Sequence, residues 1–169
     1  MPTPGSGRND RSRIKSKVGA WIFGATLVFL VGAIVIAWWM RSTSPADPDD
    51  AAQVARGKAI YDQHCASCHG ARLEGQANWK QRLPSGRMPA PPHDASGHTW
   101  HHPDAILFGM TKNGIVPGKY GPPGYQSDMP AYANTLTDEE IWAVLAYIKS
   151  SWPPDIRETQ RKITAQRDR

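Results

Sequence analysis

From Val18 to Met40 the chain reads VGAWIFGATLVFLVGAIVIAWWM, 23 residues without a charge. At a helical rise of about 1.5 Å per residue this run spans roughly 34 Å, enough for the hydrocarbon core of a bilayer. It predicts one transmembrane helix. The apolar core of a signal peptide is about 7–15 residues long and precedes a small-x-small cleavage site. This run is longer and ends in Trp38-Trp39-Met40-Arg41, which favours an uncleaved anchor. Trp21 near one end and Trp38-Trp39 at the other suit interfacial belts.

Beyond the span, helix signals are separated by long Pro/Gly stretches. A first helix is predicted from about Asp50 to His64. A second starts near Pro103, with His102 a plausible N-cap, and ends at Lys112-Asn113-Gly114 with a glycine stop. The last has the clearest signature: Thr137 and Glu140 form a capping box, and Ile141, Val144, Leu145 and Ile148 lie on one stripe. Ser150 to Pro153 ends it. Between these helices, Gly70 to Gly97 (with Pro84, Pro89, Pro91 and Pro92) and Gly114 to Pro130 read as ordered loops. The predicted organisation is a basic N-terminus at 1–17, an anchor at 18–40, a linker at 41–49, a folded all-α domain at 50–152 and a polar tail at 153–169, expected to be solvated or frayed. Loops this long argue against an assignment unless a bound group replaces part of the core.

Charge fixes the expected orientation. Residues 1–41 carry six basic side chains and one acidic, the whole of the net +5, while residues 42–169 carry 14 of each sign. Arg8, Arg11, Arg13, Lys15 and Lys17 precede the span, and Asp47, Asp49 and Asp50 follow it, so the positive-inside rule leaves residues 42–169 outside the cytoplasm. The basicity is a topology signal, and nucleic acid is not an expected partner.

The chemistry is concentrated in Cys65-Ala66-Ser67-Cys68-His69, which holds the only two cysteines. Two thiols at this spacing can add to the two vinyl groups of one haem, and the adjacent histidine can ligate its iron. A disulfide across two residues would close a very tight ring, and a redox-active CxxC should follow a strand, whereas the residues before Cys65 read as helix. A zinc site would need two more ligands, which later histidines keep open. Attachment of a single covalent haem c is the favoured reading, and it agrees with an extracytoplasmic domain.

Over roughly Ala51 to Trp152 the chain resembles class I cytochrome c domains. Three pieces carry the resemblance: Gly57 and Tyr61 in the first helix; Cys65-Ala66-Ser67-Cys68-His69-Gly70; and Met129-Pro130 followed by Leu136-Thr137-Asp138-Glu139-Glu140-Ile141 and Leu145-Ala146-Tyr147-Ile148. The resemblance implies an all-α, class I cytochrome c-like fold of about three to four helices around one haem, in which Gly57 and Tyr61 pack on the last helix. It also implies that a loop-proline carbonyl, Pro91 or Pro92, orients the proximal His69. The region from Pro89 to His102 has no counterpart in the small soluble members.

A thioether would stabilise ferrous iron as sixth ligand. Met129 lies 60 residues after His69, in a loop just before the capped helix, and is favoured over Met88, only 19 residues on, and over Met110, which falls within a helix. His93, His98, His101 and His102 beside Asp94 could bind copper or zinc, contact a haem propionate, or serve as a histidine ligand to the haem iron; their plainer reading is capping and surface polarity. Side chains of adjacent residues diverge by about 100° on a helix, which disfavours His101 and His102 joining one site. The leading expectation is a carrier of single electrons between redox proteins (an oxidase, a reductase or a dehydrogenase), held to membrane lipid by its anchor. A haem subunit of a larger oxidoreductase is the second, and an open-haem peroxidase or gas sensor the third. Thiol–disulfide exchange is the fourth.

Overall fold

The computed structural model describes residues 29–32 and 45–167. The expected anchor at 18–40 therefore lies outside the described residues except for one helical turn at 29–32, where Phe29, Leu30 and Val31 are exposed. Among the described residues no helix is long and apolar enough to cross a membrane. The chain divides between Thr43 and Ser44, and the unit from Ser44 onward holds the attachment motif and the long helices.

Helix α1, Ala51–His64, starts because the Asp50 carboxylate accepts hydrogen bonds from the Ala52 and Gln53 amides. It gives way to a single turn, α2 (Ala66–His69), closed by Gly70 at φ 82°. A 3-10 turn at Thr99–His101 leads into α3, Asp104–Asn113, which stops at Gly114 with φ 74°. Pro103 is its N-cap residue, not His102, which instead ends the 3-10 turn. Helix α4, Asp138–Ser150, carries the capping box of Thr137 and Glu140 in full, and α5 covers Pro154–Arg167. The described residues contain no strand, only an isolated bridge between Pro117 and Gly121. The domain is helical, as the resemblance implied.

The core forms where α1 crosses α4. Tyr61 on α1 meets a buried face of α4 formed by Ile141, Val144, Leu145 and Ile148, and Trp152 closes its end. The crossing is tight at one residue. A Cβ on Gly57 would sit 1.9 Å from the Ala143 carbonyl oxygen, a backbone atom that cannot swing aside. Gly57→Ala should therefore force the helices apart and cost about 1–3 kcal/mol or more, read as a lower thermal midpoint. An unchanged midpoint would refute this account of the crossing.

The C-terminal segment corrects the expectation of a frayed tail. Helix α5 is polar in sequence, and what fixes it is polar as well. Gln160, 1% exposed, donates from Nε2 to Asp104 Oδ1 at 2.6 Å and to the His102 carbonyl at 3.2 Å. The Asp104 amide donates to Thr164 Oγ1 at 3.1 Å. Asp104 in turn pairs with Lys149 of α4 at 2.8 Å, both side chains buried. Three helices thus meet on one carboxylate. The linker is also partly folded: Ala46 is fully buried, Gln53 donates to the Pro45 carbonyl at 2.7 Å, and Arg157 of α5 reaches Asp49 at 2.8 Å.

Candidate functional site

The attachment motif sits on the break between α1 and α2. The Cys65 amide still bonds to the Tyr61 carbonyl at 2.8 Å, after which the chain turns and presents the next four residues as one helical turn. Cys65 and Cys68 are free thiols, the first partly buried and the second exposed. Burial, and next the neighbouring Cys68, pushes the Cys65 thiol up to about 11. Thiol–disulfide exchange wants a lowered thiol pKa and a reactive thiolate, so this environment disfavours it.

His69 is buried and its Nδ1 lies 2.9 Å from the Pro91 carbonyl oxygen. A carbonyl only accepts, so Nδ1 carries the proton and Nε2 keeps the lone pair that a metal needs. Of the two prolines named from the resemblance, Pro91 makes this contact. Burial lowers the His69 pKa, opposed by the Pro91 hydrogen bond, which favours the neutral ring of a ligand. The loop approaches closely because Gly75, at φ 67°, packs against Pro91 and Pro92 where a side chain would clash.

Met129 is partly buried, its amide donating to Ser127 Oγ at 3.0 Å. Its loop is tied to the motif on one side. Three residues on, the Tyr132 hydroxyl donates to the His64 carbonyl at 2.6 Å, and the Tyr132 amide to the Thr111 carbonyl at 3.2 Å. Burial, and next the Cys65 and Cys68 thiols, raises the Tyr132 pKa, which locates the phenol beside the cysteine pair. An ion pair between Arg87 and Asp128 joins the residues preceding Met88 and Met129 and so ties their two loops to each other. Met110 packs against the core instead.

The histidines divide: His98 and His102 meet edge-on with ring centroids 5.6 Å apart, near His101, while His93 leaves the group. His98 stacks on Trp79 with ring centroids 5.3 Å apart, and His101 lies over Trp100 at 3.7 Å. His93 turns inward and stacks on His69 at 4.0 Å. Burial, then the neighbouring His69 and His98, lowers the His93 pKa well below the usual histidine value. Among the described residues no three His, Cys, Asp or Glu side chains converge as a metal site. The stacking of His93 on His69 has no signature in the sequence, since the two are 24 positions apart.

These residues fit a covalent haem. Two free thiols and a histidine with an available Nε2 share one turn. Trp100 Nε1 is a buried donor with no acceptor among the described residues, a group that a haem propionate could satisfy.

Comparison with known proteins agrees. The sequence profile of the family described as Cytochrome c matches residues 54–152. The chain is 30% identical over 101 residues to the Cbb3-type cytochrome c oxidase subunit CcoP of Azospirillum sp. (strain B510), covering 59% of this chain and 29% of that subunit. It is 28% identical over 101 residues to cytochrome c-555 of Prosthecochloris aestuarii, covering 56% of this chain and 84% of that protein. The chain thus spans less than a third of the length of the oxidase subunit and most of the length of the small cytochrome. No solved structure matches it significantly. With the profile covering more than half of the chain and the attachment motif intact within it, the protein belongs to the cytochrome c family and carries covalently bound haem c.

Proposed function

We propose that the protein is a membrane-anchored monohaem cytochrome that passes single electrons between redox proteins at the outer face of the cytoplasmic membrane. The observation that carries the electron-transfer part is the His69–Pro91 contact beside two free thiols. Haem c, when bound, supplies a one-electron couple at its iron. The chain's own residues do the rest. Cys65 and Cys68 hold the group through thioethers, His69 Nε2 takes the proximal position, and the Pro91 carbonyl fixes the imidazole and raises its basicity. Met129 supplies the sixth ligand from the loop that Tyr132 ties to the motif. The anchor reading rests on the uncharged run at 18–40 and the basic residues before it.

Similarity to a CcoP subunit supports a second reading, in which the domain works as a fixed haem-bearing component within an oxidase or comparable complex. Export assays test both. A fusion beginning at Ser42 behind a cleavable export signal should release a soluble domain whose haem stain survives denaturing electrophoresis. A colourless polypeptide would refute the haem assignment. A reporter that works only in the cytoplasm, active when fused after Trp152 of the full chain, would refute the orientation. Co-purification of the full chain with oxidase subunits would favour the second reading.

A further inference from the structure

We propose that His93 is a positioning residue for the proximal ligand: its imidazole, stacked on His69, sets the rotation of that ring about the iron–nitrogen bond. The inference rests on the haem c assignment of His69. The two rings lie 4.0 Å apart at 21°, close to parallel, so His93 covers one face of the proximal imidazole. The hydrogen bond from His69 Nδ1 to Pro91 holds one edge of the ring, but a single 2.9 Å contact tolerates some rocking about the iron–nitrogen bond. A flat neighbour at van der Waals distance removes that freedom.

His93 is itself held on several sides. His93 Nδ1 shares a 2.8 Å hydrogen bond with Thr99 Oγ1, a hydroxyl that also lies 3.4 Å from the Pro92 carbonyl. The His93 amide donates to the Leu73 carbonyl at 2.8 Å, and Trp152 Nε1 donates to the His93 carbonyl at 2.7 Å. The Tyr61 ring stands edge-on to it at 6.4 Å. An aliphatic side chain would fill this site with no hydrogen bonds to satisfy. An imidazole there is useful for its flat face and fixed tilt, which the Thr99 bond locks. Pro91 and His93 lie two apart on one strap, so one segment both binds and braces the ligand.

The test is the ferric low-spin electron paramagnetic resonance spectrum of the full-length, haem-loaded protein, because its g-values report the orientation of the axial ligand plane. His93→Leu should replace one low-spin signal by two or more, or shift its g-values, with covalent haem stain retained. His93→Phe, which restores a flat ring, should keep a single signal. If His93→Leu leaves the signal single and unshifted, or if Phe splits it as Leu does, the proposal fails. Thr99→Val, a near-isosteric change that removes only the lock, should broaden the signal, and an unaltered spectrum there overturns the proposal even if the His93 variants do not accumulate. Unmutated protein lacking covalent haem would instead overturn the assignment beneath it.

Discussion

Met129→Ala is expected to abolish the weak iron–thioether absorption band, lower the reduction potential and open the ferrous iron to carbon monoxide, while haem stays attached. A thioether is a soft donor that favours ferrous over ferric iron, and its loss removes that bias. Axial-ligand identity moves haem potentials across about 0.8 V in all, so a fall on the order of 100 mV is expected. Attachment persists because Cys65, Cys68 and His69 occupy a separate turn closed by Gly70. The control is Met88→Ala, since the Arg87–Asp128 ion pair brings the two methionine loops together. That pair is exposed, and such pairs contribute about 0–1 kcal/mol, so it does not select the ligand. If Met88→Ala removes the band and Met129→Ala leaves it, Met129 is not the ligand. Rapid carbon monoxide binding by unmutated protein would favour the open-haem reading over the carrier.

The second large effect is on stability. Asp104→Ala should cost about 3–5 kcal/mol, because it strips the buried Lys149 ammonium of a carboxylate and removes the shortest hydrogen bond of the Gln160 amide. For a domain of this size about 4 °C is lost per kcal/mol, so the thermal midpoint should fall by roughly 12–20 °C. Replacing both charges by apolar groups, Asp104→Leu with Lys149→Met, should recover much of the loss, since a buried pair contributes little net stability over a well-packed apolar one. A fall under about 4 °C for Asp104→Ala, at unchanged haem content, would show that α5 docks by other means.

Helices with strong local signals were legible in the order of residues alone. The Asp50 start, the Thr137–Glu140 box and the Gly114 stop each need only neighbouring residues, and all three stand where the pattern put them. The attachment motif is legible for the same reason: its chemistry is complete within five consecutive positions. Of the two prolines suggested for orienting His69, the fold selected Pro91, because that choice depends on how the Gly75 turn lays the strap against the motif. Helix α5 was hidden from pattern reading. Its docking runs through Gln160, Asp104 and Lys149, polar residues that read as surface until three helices enclose them. The pairing of His93 with His69 was equally invisible, since nothing local links residues 24 positions apart. Periodicity and motif spacing are properties of short stretches of chain. Burial of polar groups and the facing of two rings arise only when distant stretches share one core.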